Sequence, residues 1–249
     1  MPERTVTLCL AQIPVIKGNI ERNLELHLTA IESAQQADVV VFPELSLTGY
    51  ELPLLADLAL NEESLAVEAL SNAARKYQIT IVAGCPWQVE GKEPTIAAVI
   101  CFPNGQVDVY HKQFLHSGEE RYCSAGNTDY VLLVNGFRLG LAVCADFIHP
   151  AHYKQAKASG IDAYLVSALI SPTGYSADEE ILLNIAKAAQ VPVLLSNHCA
   201  PTGGWQTAGK SAVWSPKGEG IYASGVEVGL FKVELSAETV DGEFQPIVL

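Results

Sequence analysis

The order of apolar and polar residues divides the chain into short strands and longer helices. Short apolar runs predict strands at 6–11, 38–42, 79–84, 96–102, 107–110, 130–134, 137–143, 163–166, 193–196, 211–214, 220–223 and 228–234. Apolar residues spaced three or four positions apart, with charged residues between them, predict helices at 19–34, 61–77, 150–158 and 178–189. Asn61 is a suitable N-cap for the second of these helices.

Two turn sequences determine how neighbouring strands are connected. Pro-Asn-Gly-Gln at 103–106 predicts a hairpin, and Asn135-Gly136 predicts another. These hairpins exclude a purely parallel sheet. Strands that are apolar on both faces and alternate with helices are typical of sheets covered by helices. We therefore expect one compact α/β domain over residues 1–249.

Composition restricts the classes of partner. The 249-residue chain has a formal net charge of -13, so nucleic acids and anionic membranes are not expected partners because both would be repelled. No apolar stretch approaches the ~18 residues of a membrane span, and the N-terminus lacks the basic flank of a signal peptide. The six cysteines show neither C-x-x-C nor zinc-site spacing, which indicates reduced thiols in a cytoplasmic protein.

Three reactive side chains follow predicted strands, namely Glu44, Lys112 and Cys144. Groups at strand ends of α/β sheets tend to converge on one crevice. A cysteine at a turn before a helix favours a thiolate with a lowered pKa, and a partly desolvated glutamate is a suitable base for it. Lys112 and the backbone N–H of Ala145 are suitable donors to an oxyanion. Thiol, carboxylate and ammonium together need neither a metal nor an organic cofactor.

The segments around these residues resemble a known family. They are Phe-Pro-Glu-Leu-x-Leu-Thr-Gly-Tyr at 42–50, Tyr-His-Lys at 110–112 and Val-Cys-x-Asp at 143–146, supported by 118–127, 209–211 and 215–218. In order and spacing they resemble the carbon–nitrogen hydrolase (nitrilase) superfamily, in its amidase-like branch. The resemblance implies a four-layer α-β-β-α sandwich with a Glu44-Lys112-Cys144 triad. It also implies hydrolysis of a small amide or N-carbamoyl compound through a Cys144 thioester, and a homodimer.

The resemblance also bears on the residues around the triad. The Glu-x-Arg-Tyr register favours Glu119 over its neighbour as the family's second glutamate, which orients the lysine. Tyr50 and Phe147 flank triad residues and are predicted pocket walls. Many amidases have an arginine and a glutamate where this chain has Ile148 and Ala151, so no carboxylate-binding arginine is expected.

Other interpretations remain open on sequence grounds. Residues 204–211 match the G-x-x-x-x-G-K-[ST] phosphate loop, although a strand rather than a helix is predicted to follow them. A Cys-His enzyme is a second alternative, with His149, His152 or His198 as base; we interpret His198 as a pocket wall. A non-catalytic small-molecule-binding protein, an acyltransferase and a nitrile hydrolase are further alternatives.

Overall fold

The computed structural model describes residues 4–223 and 225–249. In chain order its elements are β1 (Thr5–Gln12), α1 (Ile20–Ser33), β2 (Val39–Val41), α2 (Leu65–Tyr77), β3 (Thr80–Trp87), β4 (Thr95–Cys101), β5 (Val107–His111), β6 (Val131–Val134), β7 (Phe137–Val143), α3 (Pro150–Ala158), β8 (Ala163–Ala168), α4 (Tyr175–Ala189), β9 (Val193–Asn197), β10 (Ala212–Trp214), β11 (Gly220–Tyr222), β12 (Gly229–Ser236) and β13 (Val240–Pro246).

The strands form two mixed sheets. A seven-stranded sheet has the order β13-β12-β1-β2-β3-β4-β5, and a six-stranded sheet has the order β11-β10-β9-β8-β7-β6. Strands β1, β2 and β3 are parallel, as are β7, β8 and β9, while β3-β4-β5 and β6-β7 are antiparallel. Both predicted hairpins are confirmed. Because β5 runs in the same direction as β2, their carboxyl ends lie at the same edge of the seven-stranded sheet.

Four layers follow from the two faces of each sheet. In β1, Leu8 and Leu10 point to the core between the sheets, whereas Cys9 and Ala11 point to the core beneath α1 and α2. Helices α3 and α4 cover the six-stranded sheet, where Tyr164 is among the buried residues. The predicted α-β-β-α sandwich is confirmed, and its two sheets pack face to face on an apolar core.

Polar side chains also join the two sheets. The Gln12 side-chain oxygen, on β1, accepts hydrogen bonds from the backbone N–H and hydroxyl of Ser211 at 3.0 Å. The Ser196 hydroxyl, on β9, lies 3.0 Å from the Ala11 carbonyl oxygen and 3.1 Å from that of Val41. Because all these groups are buried, each bond fixes the position of one sheet against the other.

Some element boundaries differ from the predictions. Helix α2 begins at Leu65, because Asn61 instead forms a turn in which its side-chain oxygen accepts the Ser64 hydroxyl at 3.0 Å. Helix α4 begins three residues earlier than predicted, and β13 was not predicted. Within the described ranges, no helix is both long and apolar enough to cross a membrane. Residues 1–3, at the start of the segment predicted not to be a signal peptide, lie outside those ranges.

Candidate active site

Glu44 is positioned by the chain that leaves β2. The backbone of this segment passes so close to Gly84 on β3 that a Cβ there would lie 2.3 Å from the Pro43 oxygen and the Leu45 nitrogen. Only glycine allows this approach without displacing the segment. On the other side, the imidazole Nε2 of His198 lies 2.6 Å from the Glu44 carbonyl oxygen. The glutamate is thus held through its backbone on both sides.

Lys112, directly after β5, joins two carboxylates. Its ammonium Nζ donates to Glu44 Oε1 and to Glu119 Oε1, each at 2.7 Å, and all three side chains are fully buried. An ammonium has three N–H donors, so one is left for a further acceptor. The structure therefore brings together two carboxyl groups and one ammonium that are buried from bulk solvent.

Glu119 has a complete set of partners. Its Oε1 also accepts the Tyr50 hydroxyl at 2.6 Å, and its Oε2 accepts the His116 backbone N–H at 2.7 Å. Glu120 is exposed and accepts the Gly118 backbone N–H instead. Of the two adjacent glutamates, the structure therefore places Glu119 against the lysine.

Cys144 begins a short 3₁₀ turn that directly follows β7. Its φ of +45° lies in the left-handed region, which costs energy for a residue with a side chain. Asp146 holds the turn, because its Oδ2 accepts the Val143 N–H at 2.8 Å. Its Oδ1 accepts the N–H groups of Gln113 and Phe114 at 2.9 and 2.8 Å. One carboxylate thus joins the cysteine turn to the loop that follows Lys112.

Burial and neighbouring charges together determine the pKa values in this cluster. Burial raises the pKa of the Glu44 carboxyl from 4.5 to about 7, although the Lys112 ammonium opposes the shift. Burial would lower the pKa of Lys112, but the charges of Glu44, Cys144 and Glu119 outweigh it and raise that pKa. The sequence-based expectation of a lowered Cys144 pKa is wrong. Burial and the Glu44 charge raise it well above the ordinary value, and α3 begins only at Pro150.

A cavity of about 210 Å³ opens onto this cluster. It is lined by Glu44, Tyr50, His116, Cys144, Phe147, Ile148, Leu169, Ser171, Gly174, Asp178 and Trp205. Cys144 is partly exposed to the cavity and enclosed by protein on its other sides. Glu44 Oε2 is buried and accepts no hydrogen bond from the described residues. A thiol and a carboxylate oxygen without a partner therefore border the same space.

Only two of the four residues predicted to contact the substrate line the cavity. Tyr50 and Phe147 line the cavity, whereas Ala145 and His198 do not. Ala145 is buried in the turn, so its N–H and not its side chain is the group of interest. His198 is buried behind Glu44 because its ring contacts the glutamate backbone.

The histidines just beyond Cys144 do not line the cavity. His149 stacks on Phe114 at a ring separation of 4.2 Å. His152 is buried, with its ring nitrogens 2.8 and 2.7 Å from the hydroxyls of Tyr110 and Tyr164. The Cys-His alternative therefore has no support from these side chains.

Several cavity residues were not predicted from sequence, among them His116, Leu169, Ser171, Asp178 and Trp205. Leu169 directly follows β8, so the strand-end argument applied to this strand would have located it. Asp178 lies in the first turn of α4 and Trp205 in a loop, and neither belongs to a local pattern that indicates a pocket.

The phosphate-loop alternative is wrong. Residues 204–211 lead into strand β10, not into a helix. The backbone N–H groups that would bind phosphate at a helix N-terminus are therefore not arranged for it. Among the described residues, no group of three or more His, Cys, Asp or Glu side chains has an arrangement that could hold a metal ion.

Comparison with known proteins agrees with this geometry. The model of the family described as carbon-nitrogen hydrolase matches residues 7–242. The 2-oxoglutaramate amidase of Bacillus subtilis is 26% identical over 236 residues, 93% of this chain and 91% of the relative. A variant of the Nesterenkonia sp. AN1 amidase in complex with butyramide is 28% identical, with a TM-score of 0.85 over 95% of this chain and 92% of that one.

The structure thus brings two buried carboxylates, a lysine and a cysteine together at the strand ends of an α-β-β-α sandwich of the nitrilase type. The chain belongs to the carbon–nitrogen hydrolase family, in its amidase-like branch. It is an enzyme that acts on C–N bonds.

Proposed function

We propose that this enzyme hydrolyses a small carboxamide or N-carbamoyl compound, with Cys144 as nucleophile, Glu44 as general base and Lys112 as oxyanion donor. The observation that carries the proposal is the convergence of Cys144 and the partner-free Glu44 Oε2 on one cavity. Glu119 is assigned the positioning of Lys112. Residues 1–249 form a single catalytic domain in this proposal, and no metal or organic cofactor takes part.

In the first step the thiol becomes nucleophilic. Because its pKa is raised, Cys144 is a neutral thiol at rest, and Glu44 Oε2 takes its proton as the sulfur attacks the amide carbon. A C–S bond forms and the carbonyl electrons move to oxygen. The remaining N–H of the Lys112 ammonium and the Ala145 backbone N–H then stabilise the oxyanion.

In the second step the C–N bond breaks. The leaving nitrogen takes the proton held by Glu44, so ammonia or an amine departs and a Cys144 thioester remains. Water then attacks the thioester and gives its proton to Glu44. The C–S bond breaks, the acid leaves, and the proton returns from Glu44 to the sulfur. A carboxyl with a pKa near 7 both accepts and releases a proton readily near neutral pH.

Two comparisons support this chemistry. A glutamate-to-glutamine variant of the Nesterenkonia amidase has been observed with the acetamide moiety of fluoroacetamide bonded covalently to its active-site cysteine, which supports a nucleophilic cysteine. A variant of the same amidase binds butyramide. Both compounds are amides of a few carbon atoms, which fits a cavity of about 210 Å³. Cys144 occupies the corresponding place after β7 in this proposal.

The six cysteines of the described chain are all free. This supports the proposal of a cytoplasmic enzyme, because reducing compartments keep thiols unpaired.

Ammonia release from a panel of small amides, N-carbamoyl compounds and nitriles tests the function. We expect Cys144→Ala to lower kcat by ~10³-fold or more, because no other cavity side chain replaces the thiol. Cys9→Ala, which removes a buried thiol beneath α1 and α2, is the matched control and should retain activity. Equal activity in Cys144→Ala and wild type would overturn the role of Cys144. Release from nitriles alone would reassign the substrate class.

A further inference from the structure

The cavity contains a carboxylate that the proposed reaction does not use. Asp178, in the first turn of α4, borders the cavity together with Cys144 and Glu44. It is partly buried, and no described residue donates a side-chain or backbone hydrogen bond to its carboxylate. We propose that Asp178 selects amides that carry a positively charged group, an inference that rests on the proposed amidase function.

The electrostatics of the cavity favour a cation. Within the described residues, no lysine or arginine side chain lines the cavity. The buried Lys112 ammonium is not part of the lining and is already bonded to Glu44 and Glu119. Among the described residues, His116 is the one basic side chain in the lining, and its charge lowers the Asp178 pKa against the effect of burial. A substrate carboxylate would meet Asp178 and Glu44, whereas a substrate ammonium would meet an Asp178 carboxylate that accepts no hydrogen bond from the described residues.

The remaining walls are consistent with this selection. Trp205 is 47% exposed and borders the same cavity, and the face of an indole attracts a cation. Ile148 contributes an apolar surface that is 43% exposed. Partial burial raises the pKa of Asp178, a sign that its charged form lacks full hydration. An ammonium bound to Asp178 would replace the hydration that its carboxylate loses on burial.

Cavity size is consistent with a short substrate. A cavity of about 210 Å³ accommodates an amide at Cys144 together with a short chain beyond it. The substrate class is therefore a short aliphatic amide with an ammonium group at the end remote from the amide.

Three amides of similar length measure the selection. They are 3-aminopropanamide with an ammonium, butyramide with a methyl group, and succinamate with a carboxylate at the same position. In the wild-type enzyme, we expect kcat/KM to be about tenfold higher for 3-aminopropanamide than for butyramide, and lowest for succinamate. This factor corresponds to one charge-assisted hydrogen bond.

Three variants test whether the preference depends on Asp178. Asp178→Asn keeps the size and removes the charge, so the ratio of kcat/KM between 3-aminopropanamide and butyramide should fall about tenfold. Glu180→Gln, an exposed position on the same helix, is the control and should leave that ratio unchanged. Ile148→Arg adds a cation at the cavity wall and should raise the relative kcat/KM of succinamate. This third result remains informative if Asp178→Asn does not fold.

The outcomes separate this inference from the proposed function. Hydrolysis of butyramide with equal or lower kcat/KM for 3-aminopropanamide would overturn the role of Asp178 and leave the amidase function intact. An unchanged substrate ratio in Asp178→Asn would do the same. Absence of hydrolysis of every amide and N-carbamoyl compound would overturn the proposed function, and the selection with it.

Discussion

The two carboxylate oxygens of Glu44 have different surroundings. Oε1 accepts the Lys112 ammonium at 2.7 Å, and Oε2 has no partner among the described residues. Oε1 therefore fixes the side chain, while Oε2 remains available to accept a proton. A carboxyl held in this way acts as a base only while it is ionised, and burial makes ionisation harder.

We expect kcat/KM to be high above pH 7 and to fall about tenfold per pH unit below it. The sign follows from the raised pKa of about 7, because Glu44 gains its proton as the pH falls through that value and can then no longer act as base. A pH–rate profile on an uncharged amide measures this. An acidic limb near pH 4.5, the ordinary value for a glutamate, would contradict the assignment.

Variants identify the group that titrates. Glu44→Gln keeps the shape but cannot accept a proton, so its residual activity should show no limb near pH 7. Glu120→Gln changes an exposed carboxyl close in sequence to the site and should keep the wild-type profile.

At the scale of residues, the sequence predicted which side chains converge at the site better than it predicted their burial and their pKa values. The ends of apolar runs located Glu44, Lys112 and Cys144, and the motif register distinguished Glu119 from its neighbour. The raised pKa of the thiol was not predictable, because it depends on how completely the two sheets enclose Cys144. The functional roles of these residues stay predictions until the variants are measured.

The 3₁₀ turn that begins at Cys144 is held by the side chain of its last residue, Asp146. The Asp146 carboxylate accepts the N–H groups of Val143, Gln113 and Phe114, and also the Tyr110 hydroxyl at 2.7 Å. The turn and the loop after Lys112 thus share one buried acceptor. Because the turn holds Cys144 at a positive φ, loss of this acceptor affects both folding and geometry.

We expect Asp146→Asn to lower the free energy of unfolding by about 2–4 kcal/mol. In the variant an amide nitrogen replaces one carboxylate oxygen, and this nitrogen cannot accept the hydrogen bonds that the oxygen accepts. Its kcat should also fall, because the cysteine turn loses its register with Lys112. Urea unfolding and steady-state kinetics measure the two effects. Asp241→Asn, an exposed position on β13, is the control. Wild-type stability in Asp146→Asn would show that the turn does not depend on this carboxylate.

At the scale of elements, the strand that sequence analysis missed is β13, which is partly buried on one face only. Strand β13 alternates exposed Asp241, Glu243 and Gln245 with partly buried residues, as expected for an edge strand with one face in solvent. Such a strand has too few apolar residues to be distinguished from a polar loop. The buried central strands, by contrast, were all located.

For the whole molecule, the apolar pattern indicated sheets covered by helices, but it could not assign strands to sheets. The division into two sheets came from the family resemblance, because strand partners such as β1 and β12 are separated by most of the chain. Local periodicity carries no information on such distant pairs.

We propose that the enzyme is a homodimer, by analogy with its family, through the face formed by α3. Light scattering at micromolar concentration should give twice the mass of one chain. Because each copy has a net charge of -13, added salt should strengthen association at low ionic strength. Lys154→Glu, exposed on α3, should increase the monomer fraction, whereas Lys76→Glu on α2 should not. A monomer under all these conditions would refute the proposal.

The proposed catalytic groups come from opposite sheets, Glu44 and Lys112 from the seven-stranded one and Cys144 from the six-stranded one. The distance between the proposed base and nucleophile therefore depends on how the two sheets pack, to which core residues such as Leu165 and the hydrogen bonds of Ser196 contribute. Close-packed cores transmit small changes in volume to their boundaries. We therefore expect interior substitutions remote from the cavity to change the reaction rate, because they shift one sheet and the groups it carries against the other.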